Sequence, residues 1–148
     1  MRQLMKAGLI AMMFAMPAAW AQNASPAGVW KTIDDETGKP KSLVRITEEN
    51  GVLTGKIDKL FRPADQDQNP KCTACEGARK DQPIVGMTIL WGLKKDGNEY
   101  TGGEILDPSK GKTYKSKLSL KDNGSKLDVR GYIGAPMFGR TQTWVREQ

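Results

Sequence analysis

Lys126 to Arg146 reads KLDVRGYIGAPMFGRTQTWVR. Leu127, Val129, Gly131 and Ile133 alternate at period two, the pattern breaks at Gly134-Ala135-Pro136, and it resumes through Thr141, Thr143 and Val145. Arg140, Gln142, Trp144 and Arg146 occupy the opposite phase of the second segment. Such alternation around a Gly-Pro break predicts two strands joined by a short loop. A hairpin ending on a Trp between two arginines needs a partner for its indole face. The partner expected is Gly28-Val29-Trp30 at the far end, which would close a sheet on itself.

Upstream of that hairpin the chain is a series of short alternating segments with turn chemistry between them, and no stretch holds a helical period. Expected strands cover about 28–33, 42–48, 52–60, 86–93, 99–106 and 113–120. Asn50-Gly51 and Asp96-Gly97 supply the positive φ of tight hairpins, and Gly102-Gly103 marks a bend or bulge. Six strands plus the final two make eight, starting roughly a dozen residues apart except across one insertion at 61–83. Short connections cannot form parallel crossovers, so sequential antiparallel pairing follows. Joining the first strand to the last abolishes both edges. The expected fold is therefore all-β, an eight-stranded antiparallel up-and-down barrel; a two-sheet sandwich also fits the spacing. A barrel of this size is either filled by side chains or holds one small ligand.

The first 21 residues have a different character. Arg2 and Lys6 precede an apolar run from Ala7 to Met16, then Pro17 and Ala19-Trp20-Ala21. This is the layout of a secretory signal peptide cleaved after Ala21, and the apolar run is about half the roughly twenty residues a spanning helix needs. The expected address is periplasmic or secreted, with no transmembrane segment in the mature chain. Residues 22–27 (QNASPA) form a polar lead-in expected to be disordered or extended, and 28–148 a single domain. With Arg2 and Lys6 removed, 21 Lys and Arg face 17 Asp and Glu, a net of +4. The cations are scattered over turns and form no run, which argues against nucleic acid as a partner.

Gly28-Val29-Trp30 in the first strand, with Arg140 or Arg146 late in the last, resembles the lipocalin signature, in which the Trp closes the barrel floor and an Arg packs across it. Trp30, Trp144 and Arg146 are the expected closure residues, a guanidinium over an indole adding about 0.5–2 kcal/mol. GVW, KCTACEG, GGEILDPSKGKTY and VRGYIGAPMFGRTQTW, in that order behind a signal peptide, resemble the bacterial family known as domain of unknown function 2147. That resemblance implies an exported, lipocalin-like barrel and supplies no catalytic residues.

Cys72 and Cys75 are the only cysteines. In an oxidising compartment a disulfide is the default, fixing local loop shape. A redox pair would need the first Cys at a helix N-terminus, and a zinc site would have to recruit Asp65, Asp67 or Glu76. The chain has no His, the commonest general base near neutral pH. No catalytic residue, metal or cofactor is assigned, and no enzyme activity is expected.

Arg130 and Tyr132 share one strand face, with Arg140 on the next strand. Facing inward, they could clamp a carboxylate or phosphate; facing outward, they leave Leu127, Val129 and Ile133 as core. The 61–83 insertion is long enough to serve as a lid, in which case Phe61 and Trp91 would line a cavity. Candidate ligand residues are thus Phe61, Trp91, Arg130, Tyr132 and Arg140. Two partner classes follow: a small apolar or lipid-like ligand, or an envelope protein contacted by a filled barrel.

Overall fold

A computed structural model describes residues 25–147. The signal-peptide expectation for 1–21 and residues 22–24 of the lead-in lie outside them. Eight strands form one closed antiparallel barrel in sequence order. They are β1 (Gly28–Ile33), β2 (Pro40–Glu49), β3 (Val52–Leu60), β4 (Thr88–Asp96), β5 (Glu99–Asp107), β6 (Lys112–Lys121), β7 (Lys126–Tyr132) and β8 (Gly139–Arg146). The up-and-down barrel is the fold read from the turn spacing, and the sandwich is excluded because β8 returns to β1 through the pairs Trp30↔Arg146 and Lys31↔Val145.

The two ends of the barrel differ because their connections differ. At one end Asn50-Gly51 (φ 52° and 78°) turns β2 into β3, Gly97-Asn98 turns β4 into β5, and residues 122–125 join β6 to β7. Positive φ at both Asn50 and Gly51 matches the twist of the flanking strands, which keeps this hairpin tight. At the other end lie 34–39, 61–87 and 133–138, all longer, and the four-residue turn 108–111.

Side-chain phase follows the register. Leu127 stands opposite Trp144 and Val129 opposite Gln142, so β7 and β8 turn these residues to one side. Toward the tight end that interior is solid: Trp30, Val44, Leu53, Leu90, Leu93, Leu118, Leu127 and Trp144 are at most 1% exposed. Burying one indole removes roughly 200 Å² from water, on the order of 5 kcal/mol relative to leaving it exposed.

Strand β4 departs from simple alternation. Period two would place Ile89, Trp91 and Leu93 together, yet Leu90 and Leu93 are both fully buried and Trp91 is only half-buried. The cause is two register shifts of β4 against β3, from Lys56↔Thr88 to Gly55↔Leu90 and from there to Leu53↔Leu93, each giving β4 one extra residue, the second at Gly92 with a φ of 74°. Gly102, also at positive φ, accompanies a register shift in β5 between Tyr100 and Gly103, as the Gly-Gly pair predicts.

The described part of the lead-in, Ser25 to Ala27, is anchored to the barrel. Pro26 is fully buried, and its carbonyl accepts the Trp30 indole N–H at 2.8 Å. Ser25 to Ala27 is held because its carbonyls satisfy buried donors, which composition alone does not reveal.

Candidate functional site

The open end leads into a cavity of about 1280 Å³. A barrel this small becomes hollow only where side chains stop filling it, and at this end Gly131, in the inward phase of β7, lines the wall without a side chain to contribute. Trp144 and Val129 form the depth of the cavity, with Ile57, Ile89, Ile105 and Leu106 as apolar wall. The side-chain-filled interior is thus confined to the tight end.

One side of the wall is polar. Thr32 and Ser42, both 7% exposed, bond hydroxyl to hydroxyl at 2.6 Å across β1 and β2. Nearer the mouth Gln142 lies beside them on β8, its amide donating to Asp35 at 3.4 Å. Arg140 also donates to and ion-pairs with Asp35, which sits in the 34–39 connection. Asp34 shapes that turn: its carboxylate accepts the backbone N–H groups of Glu36 and Thr37, both at 2.9 Å. Those N–H groups, Thr37 first, hold its carboxyl below the ordinary range.

The long 61–87 connection lies at the mouth. Phe61, Arg62, Asp67, Pro70, Thr73 and Ala74 all line the cavity. The Cys72–Cys75 disulfide is formed, with Cα atoms 5.3 Å apart and both residues buried. It shapes a knuckle that docks on the β5–β6 turn, where Cys72 Sγ lies 3.4 Å from the Pro108 carbonyl oxygen. Gly111 in that turn meets the knuckle so closely that an added Cβ would lie 1.9 Å from the Ala74 carbonyl oxygen. A Lys71↔Pro83 bridge ties the base of the loop.

The residues singled out in the sequence fall into three groups. Phe61 and Arg140 line the cavity, Phe61 additionally lying under Lys59, whose Nζ is 5.1 Å from the ring centre. Arg130 and Trp91 do not. Arg130 is opposite Thr141 in the outward phase, donating to the Thr141 hydroxyl at 2.8 Å and the Pro136 carbonyl at 2.7 Å. Tyr132 shares that outward phase, opposite Gly139, and reaches only the rim. An inward Arg-x-Tyr clamp is therefore corrected: Leu127 and Val129 take the interior, and alternation sends Arg130 and Tyr132 out. Trp91 stacks under Arg79 at 4.6 Å on the outside of the sheet, turned out of the Ile89 phase by the register shift between Thr88 and Leu90.

The closure residues come together at the tight end. Arg146 lies 4.3 Å from the Trp30 ring centre, and Arg146, not Arg140, makes this contact. Its guanidinium donates to Gly124, Ala27 and Ser25 carbonyls at 2.7, 2.9 and 2.8 Å. Partial burial draws its pKa down from the ordinary arginine value. Trp144 packs beside it, fully buried, with its indole N–H directed to Gln142 at 3.4 Å.

Sequence reasoning missed Thr32, Ser42, Gln142 and Asp35. Thr32, Ser42 and Gln142 sit in strands whose phase, once fixed by Trp30 and Trp144, would have placed them inside. Asp35 had no such signal, because its partner Arg140 is 105 residues away. Among the described residues no group of three His, Cys, Asp or Glu is placed to hold a metal ion. No described helix is long and apolar enough to cross a membrane.

Residues 28–146 match the family described as "Uncharacterized protein conserved in bacteria (DUF2147)". No curated protein matches the chain. Among solved structures, the chain is similar to that described as "Protein HP1028 from the human pathogen Helicobacter pylori belongs to the lipocalin family", at 23% identity and a TM-score of 0.68, over 82% of each chain. That likeness is one of fold.

Proposed function

The chain belongs to this family of uncharacterized bacterial proteins, and on that premise we propose that it is an exported carrier that binds a small, largely apolar ligand in its barrel. The observation carrying this reading is the cavity of about 1280 Å³ with an apolar wall and a polar side. Ligand sites are typically concave, mostly apolar and equipped with a few placed polar groups. Apolar bulk fits against Ile57, Ile89, Ile105 and Val129, and Thr32, Ser42 and Gln142 offer hydrogen bonds along one edge. Arg140 at the mouth is suited to an anionic head group, for which a ligand carboxylate or phosphate would compete with Asp35. The lipocalin-like fold and the disulfide support binding in an oxidising compartment. In this reading the protein holds its ligand without a chemical step.

The test is native mass spectrometry of protein purified gently from its own exported compartment, compared with the denatured mass. A native-only excess mass is expected. No excess mass, together with an unchanged melting temperature after incubation with lipid extract, overturns the reading in favour of a module that contacts envelope proteins.

A further inference from the structure

The exposed apolar side chains are not spread evenly. Among the described residues six large ones are exposed, and Phe61, Val85, Ile133, Met137 and Phe138 all belong to connections of the open end. Ile133, Met137 and Phe138 are the extreme, at 64%, 75% and 70%. They occupy a six-residue tip, IGAPMF, without a single charge. The tip is a set conformation: Phe138 N–H donates to Ala135 at 3.0 Å, Ile133 N–H to Phe138 at 3.3 Å, and Arg130 to Pro136 at 2.7 Å. Its hydrogen bonds are satisfied while its apolar side chains face out, an arrangement that marks contact surfaces.

Charge identifies the occupant. Residues 109–121 and 129–146, which supply β6, the β7–β8 tip and β8, contain no carboxylate. Nearest the open end they carry Lys110, Lys112, Lys115, Arg130 and Arg140. Carboxylates do face this end: Asp107 and Glu104 stand opposite Lys112 and Lys115 in β5, Asp35 holds Arg140, and Asp34, Glu36 and Asp67 line the mouth on the side away from β6. Among the described residues, however, no carboxylate lies within 4.0 Å of the charged atoms of Lys110, Lys112, Lys115 or Arg130. An uncharged tip with apolar side chains, flanked by unneutralised cations, is complementary to apolar lipid beneath anionic head groups.

We propose that the Ile133–Phe138 tip docks on a bilayer containing anionic lipid and turns the cavity mouth toward it. Ile133 and Phe138 line that mouth as well as projecting from it, so an apolar ligand passes between bilayer and cavity without crossing bulk water. This last clause rests on the carrier reading; the docking itself does not.

Co-sedimentation with phosphatidylcholine vesicles, with and without phosphatidylglycerol, tests it on the mature protein. Wild type should bind the anionic vesicles, less so at high salt, and the Met137→Asp/Phe138→Asp variant should bind them at least about tenfold more weakly. Met137→Ser, milder, should lie between, and Lys115→Glu should weaken binding to the anionic vesicles alone. Circular dichroism checks that each variant keeps its sheet. Absence of wild-type binding, or equal binding by the double Asp variant, overturns the proposal. So does a wild-type self-association without vesicles that the Asp variant abolishes, which would make the tip an interface between copies. The excess native mass of the Asp variant separates the two ideas: a variant that still carries ligand but ignores vesicles has lost docking only.

Discussion

The guanidinium of Arg146 lies over the Trp30 indole at 4.3 Å and also ties down three main-chain carbonyls, two from the lead-in and one from the β6–β7 connection. Arg146→Ala removes the stacked cation and strips those carbonyls of their donor. The expected loss is about 2–4 kcal/mol, read by urea unfolding. Arg146→Lys should recover less than half of it, because one ammonium cannot reproduce a planar fork that stacks and donates in three directions.

Arg140 and Asp35 are exposed, so their pair contributes at most about 1 kcal/mol to folding; its importance lies in what it offers a ligand. With a fluorescent fatty acid as probe, Arg140→Ala should weaken binding about tenfold, whereas Asp35→Asn should tighten it several-fold by freeing the guanidinium. Arg130→Ala should leave the affinity unchanged, since Arg130 faces away from the cavity. A probe of the same chain length ending in an alcohol should be indifferent to Asp35→Asn.

Gly111 combines positive φ with contact against the Ala74 carbonyl. Gly111→Ala should therefore destabilise by about 1–3 kcal/mol and expose the 61–87 connection to limited proteolysis. Replacing both Cys72 and Cys75 by Ser should cost at most about 2 kcal/mol, because the closed loop is so short. The two changes should be less than additive, since both release the same knuckle.

Tyr100 is 8% exposed on β5, and its phenol is held above the ordinary tyrosine range, first by burial and then by Glu48. A raised pKa means that the fold favours the neutral phenol. That contribution is intact below the unfolded value near 10 and is lost as pH rises through the folded one. Denaturation midpoints should fall on the alkaline side of about pH 10 in wild type and fall less steeply in Tyr100→Phe.

Much of this architecture was legible because turns and strand phase are local properties. Asn50-Gly51 and Gly97 punctuate the chain through backbone conformations that few other residues adopt, and Trp30 with Arg146 carries closure chemistry that only works across a barrel. Strand direction relative to the interior was harder. The alternation around Arg130 was read correctly as a pattern, but a pattern of period two says which residues travel together and not which set goes inside. Period two puts Trp91 in phase with Met87 and Ile89 and hence on the wall; the register shift between Thr88 and Leu90 that turns it outward is a tertiary outcome. The polar side of the cavity needs four elements at once, and Asp35 meets Arg140 only after the barrel has closed.

The seam that closes the barrel is short: β1 and β8 pair through two residues each, Trp30 and Lys31 with Arg146 and Val145. While it holds, every strand has two neighbours. When it parts, β1 and β8 become raw edges together, and each is a template for the other's counterpart in a second molecule. Exchange of terminal strands between copies, and the polymers that follow when such exchange fails to close, are thus one local opening away from the native barrel. The lock that holds Trp30 also guards against aggregation.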